Sequence, residues 1–175
     1  MKALETGLVR LRALEESDVE LLYRWENDSS VWRVSDTIAP FSRHQLREFI
    51  ENQRYDIYRT RQMRLVIETL AGDAVGTVDL FDFDPVHARA AVGILIFETE
   101  ERNRGYAADA LDLVSQYARD VLHLQQLYCD VETENGPSLS LFRGRGFEVI
   151  GTKKRWLHTA DGWADVCLLQ RLFGI

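Results

Sequence analysis

The stretch Ala90-Ala-Val-Gly-Ile-Leu-Ile-Phe97 is a nearly unbroken apolar run. It gives way to Glu98-Thr-Glu-Glu-Arg-Asn-Arg-Gly-Tyr-Ala107, and from Tyr106 the pattern becomes helical, with Ala110, Leu111, Val114 and Ala118 on one stripe to Arg119. A buried strand, a basic turn with a glycine and a helix follow one another. The first amides of a helix lack partners within it, and the macrodipole places partial positive charge there. Gly105 permits close approach of a ligand to the backbone, and Arg102 and Arg104 add charge. The chemistry suits a phosphate or pyrophosphate. Alone, the same residues also describe an ordinary solvated turn.

Working outward, the chain reads as mixed α/β. Leu8-Val-Arg-Leu-Arg12 alternates as a half-buried strand does. Ser17-Asp-Val-Glu20 has the spacing of a capping box, with Val19, Leu21, Leu22 and Trp25 as a helical stripe to about Asn27. Residues 31–34 read as one short turn. Ser42-Arg-His-Gln45 is a second box ahead of Leu46, Phe49 and Ile50. Arg64–Leu70 and Ala74–Phe81 form a hairpin across Ala71-Gly-Asp73, with Asp82, Asp84 and Pro85 ending its second strand. Arg89–Phe97 is the next strand. Leu127–Val131 reads as a short, fully apolar strand, and a helix follows Asn135-Gly-Pro-Ser138 and stops at Gly144-Arg-Gly146. Phe147–Ile150 starts a strand, and Lys154–His158 with Trp163–Leu172 closes as a hairpin. The predicted order is strand, two helices, three strands, helix, strand, helix, two strands.

The length of 175 residues predicts one domain, 1–175, with no linker or repeat. A 46% apolar and 28% charged composition is that of a soluble globular protein. The net charge of −7 argues against nucleic acid as a partner and is compatible with a cationic small molecule or basic peptide. Cys129 and Cys167 lie in apolar runs without metal-ligand spacing, so they read as buried thiols, and no metal site is expected. No apolar run reaches membrane-spanning length and Met1–Gly7 has no apolar signal region, so a cytoplasmic protein is expected. Leu168, Leu169, Leu172 and Phe173 leave room for a homo-oligomer.

Three features together resemble the GCN5-related N-acetyltransferase (GNAT) superfamily. Arg102-Asn-Arg-Gly-Tyr-Ala107 fits its (Gln/Arg)-x-x-Gly-x-(Gly/Ala) turn. Asn135, Ser138, Leu141 and Phe142, ending in Gly146-Phe147, fit its Asn-x-x-(Ala/Ser) to Gly-Phe segment. The strand at Leu127–Val131 separates them in the right order. Leu11–Asp18 and Trp25–Val31 resemble both bacterial spermidine/spermine N-acetyltransferases and ribosomal-protein N-terminal acetyltransferases, and Val75–Ala90 leans to the polyamine group. The resemblance implies a central mixed, mostly antiparallel twisted sheet flanked by helices, with acetyl-CoA as cosubstrate. It implies that the backbone of Ile94, Leu95 and Ile96 pairs with the pantetheine arm. The amides of Arg102, Asn103, Arg104, Gly105, Tyr106 and Ala107 then hold the pyrophosphate, and Asn135 and Ser138 contribute. Asn135 equally reads as a helix N-cap.

Acetyl transfer to an amine needs a neutral nitrogen, while an alkylamine has a pKa of about 10.4. A base is therefore required. Many relatives carry a Glu where this chain has Ala91, and a proton-donating Tyr where it has Phe142. Glu26, Asp79, Asp82 and His87 are the remaining candidates. Glu26, Asp28, Asp36, Asp79, Asp82 and Asp84 are possible members of a cation-binding cleft, with Trp32 and Trp156 as possible cation faces. The expected acceptor is a small-molecule amine, a polyamine such as spermidine first. A peptide N-terminus, an amino sugar and a catalytically weak CoA-binding sensor are the alternatives.

Overall fold

The computed structural model describes residues 4–174; residues 1–3 and 175, part of the expected 1–175 unit, lie outside it. The strands are β1 (Val9–Ala13), β2 (Met63–Thr69), β3 (Ala74–Asp84), β4 (Arg89–Ile96), β5 (Gln126–Glu132), β6 (Glu148–Thr159) and β7 (Gly162–Leu172). All seven join one sheet in the order β1-β2-β3-β4-β5-β7-β6. Every neighbouring pair is antiparallel except β4 with β5. The helices are α1 (Val19–Glu26), α2 (Trp32–Ser35), α3 (Arg43–Asn52), α4 (Ile57–Thr60), α5 (Tyr106–Asp120) and α6 (Gly136–Gly144). Residues 57–60 form a helical turn that the sequence pattern does not announce, capped by the Asp56 side chain.

Strand alternation divides the core between the two faces of the sheet. Ala90, Val92 and Ile96 of β4 join the cluster that contains Ala110, Leu111, Val114 and Ala118 of α5, all four of which are fully buried. Phe97 faces the other way, into a second cluster with Leu22 and Trp25 of α1 and Leu46 of α3. There its ring stacks on Trp25 at 4.8 Å. The expected α5 stripe is therefore the face packed on the sheet.

The second capping box forms as expected: Ser42 accepts from the Gln45 amide at 3.1 Å, and Gln45 accepts from the Ser42 amide at 2.8 Å. The first does not. Glu15 and Asp18 make the reciprocal box instead, opening a 3₁₀ turn at residues 16–18 ahead of α1. Asp18 is nearly buried and takes a forked pair of bonds from Arg12 at 2.8 and 3.0 Å. A charge-assisted bidentate contact outcompetes a serine hydroxyl. Both cysteines are buried free thiols, and burial pushes the Cys129 thiol up to about 12. Of the four C-terminal apolar residues, Leu169 and Phe173 belong to the core, while Leu172 is exposed. Among the described residues no helix is long and apolar enough to cross a membrane, and no cluster of His, Cys, Asp or Glu is placed to hold a metal ion.

Candidate active site

The parallel ladder between β4 and β5 lasts only three residues: Arg89 pairs with Gln126, Ala90 with Leu127 and Ala91 with Tyr128. Beyond that point each strand follows its other neighbour. β4 stays on β3 as far as Ile96, and β5 stays on β7 as far as Glu132. The two strands therefore splay, and a gap opens along Val92–Ile96. The Phe97 amide donates to the Val75 carbonyl at 3.1 Å. Alternation then turns the backbone groups of Leu95 and Gly93 toward β3 and those of Ile94 and Ile96 toward the gap. Within the expected triplet, Ile94 and Ile96 thus present the strand edge, whereas Leu95 contributes its side chain to the neighbouring cleft. Apart from the Ile96 carbonyl, which accepts from Arg102, this strand edge beside a cavity is a docking edge for another amide-bearing chain.

At the end of β4 the chain passes through a 3₁₀ turn at residues 99–101 into the basic turn. Asn103 (φ 60°) and Gly105 (φ 84°) are both left-handed, and Gly105 is the N-cap of α5. Left-handed residues at this spacing turn successive N–H groups toward one concavity, at the positive end of a fifteen-residue helix. Arg102 folds back and donates from Nε to the Ile96 carbonyl at 3.0 Å, tying the turn to the β4 edge. Arg104 lies 3.4 Å from Glu101 and is half exposed. A larger cavity, about 870 Å³, also touches Arg104 and Tyr106, but Asp28, Asp73, Glu98, Glu100 and Glu101 line it, the wrong sign of charge for a phosphate. Asn135 caps α6 by accepting from the Ser138 amide at 3.2 Å. Both residues also line the gap, together with Phe142, so the cap and the binding reading coexist.

Beside the gap lies a second cleft of about 370 Å³. Glu26, Asp36, Asp79, Asp82 and Asp130 line it against one cation, Arg64. Arg64 is largely shielded from solvent, its side chain 17% exposed. Its Nε and Nη2 donate to the two oxygens of Asp79 at 2.7 and 2.8 Å, and its Nη1 donates to Glu26 at 2.5 Å. Burial opposes the guanidinium charge, but Asp79 and Glu26 outweigh it and Arg64 stays protonated. The triad carries one net negative charge, held by β2, β3 and α1.

A bulge explains Asp82. The β3–β4 register slips between Phe81 and Asp84, and Asp82 is left-handed at φ 47°. The extra residue lets Phe81 and Asp82 both line the cleft while Phe83 returns to the core. β3 consequently runs on to Asp84 instead of stopping at Phe81.

The candidates do not all converge. Glu26, Asp79 and Asp82 share the cleft. His87 is exposed in the β3–β4 turn and does not line it, because Asp84 folds that turn by accepting the Val86 and His87 amides at 3.1 and 3.0 Å. Asp28 lines the larger cavity instead. Trp32 packs with the second cluster and donates to the Glu26 carbonyl at 2.9 Å. Trp156 is more than half exposed and lines the gap, with the Lys153 ammonium 4.8 Å from its ring centre. Three ionisable cleft residues were not anticipated: Arg64, Tyr128 and Asp130. β5 is not uniformly apolar. Leu127, Cys129 and Val131 enter the core, and Tyr128 and Asp130 face the cleft. The alternation in Gln126-Leu-Tyr-Cys-Asp-Val-Glu132 is the signal that reveals them. Burial, then the nearby Asp82, push the Tyr128 phenol upward, with Arg89 offsetting part, so Tyr128 stays neutral.

The acetyltransferase (GNAT) domain family matches residues 9–148. The chain belongs to this family. Spermidine N(1)-acetyltransferase of Escherichia coli (strain K12) is 32% identical over 146 residues, covering 82% of this chain and 74% of that protein. The Vibrio cholerae protein of the same name is 25% identical over 137 residues, covering 78% of this chain and 77% of its own length. In fold, the chain is similar to the solved structure of the V. cholerae spermidine N-acetyltransferase with CoA and spermine, at a TM-score of 0.86 with 23% identity, covering 95% of this chain and 96% of that one. Phe142, expected from the resemblance at the position where many relatives carry a proton-donating tyrosine, is buried edge-on against Phe147 at 5.1 Å. Ala91, where many relatives carry a Glu, is buried at the last β4–β5 pair.

Proposed function

We propose that this acetyltransferase moves the acetyl group of acetyl-CoA to a primary amine of a polyamine, with residues 1–175 acting as one unit. The pantetheine arm lies along the Ile94–Ile96 edge, the pyrophosphate sits on the amides of Arg102–Ala107, and Asn135 and Ser138 flank the arm. The observation that carries the acceptor reading is the second cleft, where five carboxylates stand against one arginine next to the β4–β5 gap. A flexible polycation is held best by several separated negative charges. The relatives named for spermidine support the same reading. The triad fixes one net negative charge near the reacting end, and Asp82 offers another along β3.

A measurement of CoA release tests this. With acetyl-CoA present, the enzyme is expected to turn over with spermidine and spermine at least tenfold faster, in kcat/KM, than with peptides beginning in Ser or Ala or with amino sugars. A preference for a peptide or amino sugar overturns the acceptor. Ala91 and Phe142 favour one second reading, a sensor; tight acetyl-CoA binding without turnover of any amine is its signature.

A further inference from the structure

The donor gap and the acceptor cleft share a short stretch of wall: Val34, Asp36, Val92, Gly93, Ile94 and Asp130 line both. A group that handles the proton of the reacting nitrogen must stand where nitrogen and thioester meet. Only Asp36 and Asp130 of these six carry a titratable side chain. Asp36 is a left-handed residue, φ 54°, capping a helix of four residues. Asp130 stands on a strand. Continuing the β4–β5 register by two residues past Ala91 and Tyr128 sets Asp130 opposite Gly93 across the gap. A Cβ at Gly93 would meet nothing nearer than the Phe81 ring at 3.4 Å, so packing alone does not demand a glycine there. The space opposite Asp130 suits a reacting group.

The other carboxylates are less well placed. Both oxygens of Asp79 and one of Glu26 accept from Arg64, and neither residue lines the gap. Arg33 holds Glu132 with both oxygens, and Glu132 lines the gap alone. Asp82 lines the cleft alone. In Asp130 a single oxygen, Oδ2, is held, by Lys153 Nζ of β6 at 2.6 Å.

We propose that Asp130 takes the proton from the reacting nitrogen, with Lys153 as the positioning residue that fixes its carboxylate. This rests on the acyl-transfer reading above. The bound ammonium gives one proton to Asp130, directly or through one water, and the freed lone pair forms the N–C bond with the thioester carbonyl. The C–S bond breaks and its electron pair leaves on sulfur. The nitrogen's second proton passes to the thiolate, giving CoA thiol, and Asp130 returns its own proton to solvent. Atoms and charge balance: ammonium and acetyl-CoA become amide, CoA thiol and one released proton.

The test is steady-state kinetics with the preferred amine, alongside acetyl-CoA affinity by calorimetry. Asp130→Asn is expected to lower kcat about 100-fold or more, the contribution typical of a general base, with acetyl-CoA affinity unchanged. Asp130→Glu should recover at least tenfold of that loss. Lys153→Met should lower kcat severalfold without raising the amine KM. An Asp130→Asn enzyme within threefold of wild-type kcat, or an Asp130→Glu enzyme no better than Asp130→Asn, overturns the proposal. If the preferred amine is not a polyamine but Asp130→Asn still abolishes kcat, this proposal stands and the polyamine reading falls. If the wild type turns over no amine, both fall.

Discussion

The two cavities that meet at Val92–Ile94 are built from different materials. The proposed donor side is largely main chain: the Ile94 and Ile96 edge, the left-handed turn at Asn103 and Gly105, and the first amides of α5. The acceptor side is side chain: Glu26, Arg64, Asp79, Asp82 and Asp130 come from α1, β2, β3 and β5. A site of amides tolerates almost any side chain that permits its backbone. A site of charges depends on each partner being present. The same sheet can therefore keep its donor geometry while an acceptor-side residue such as Ala91 changes.

The largest expected break of that contrast is at Arg64. Removing the guanidinium strands Glu26 and Asp79, which are 7% and 18% exposed at their side chains. Breaking a buried ion network by deleting one partner costs about 3–5 kcal/mol. Arg64→Met should lose that much in urea denaturation. Adding Glu26→Gln and Asp79→Asn removes the stranded charge and should recover more than half of it, while the polyamine KM stays raised. Equal destabilisation in the triple variant would mean that Arg64 matters for packing, against the Phe49 ring 5.1 Å away, and not for charge.

A smaller effect, confined to the donor side, is expected at Gly105. An added Cβ finds room, with Leu8 Cδ1 the nearest atom at 3.6 Å. The penalty is conformational, since φ is 84° and a β-branched residue in the left-handed region loses about 1–2 kcal/mol. Gly105→Val should weaken acetyl-CoA binding by about 5- to 30-fold in calorimetry and leave the amine KM unchanged. A raised amine KM would show that the turn also shapes the acceptor cleft.

The same contrast sets what can be read without coordinates. The anion-binding part of the proposed donor side is contiguous: a strand, a basic glycine turn and a helix stripe lie within residues 90–118, so their order alone suggests an anion site. The acceptor contacts span long separations. Glu26 and Arg64 are 38 residues apart, Arg64 and Asp79 15, and Asp130 and Lys153 23. On an alternating strand, Arg64 has the pattern of a solvent-facing residue; only the β2–β3 pairing with Asp79 and the packing of α1 over it turn that position into a buried floor. Asp82 depends on a bulge that no residue type there demands, and His87 is excluded by a turn that Asp84 closes. Asp130 differs, because its alternation within β5 is visible in the residues themselves.

The smallest expected effect tests whether the two sides cooperate in proton transfer. Phe142 is 4% exposed and lines the donor gap, where many relatives place a proton-donating tyrosine. Phe142→Tyr adds a hydroxyl at the edge of a well-packed aromatic pair. A thiolate with a conjugate-acid pKa of roughly 8.5 leaves readily, so the gain falls short of the full value of a general acid. The expected result is a kcat raised severalfold, to about tenfold at most, with acetyl-CoA affinity unchanged. Combined with Asp130→Asn, the two changes act on different protons, one leaving the nitrogen and one arriving at sulfur. Their effects on kcat should therefore add in free energy. Strong non-additivity would place both side chains on one proton path, and would mean that Asp130 serves the leaving sulfur as well as the nitrogen.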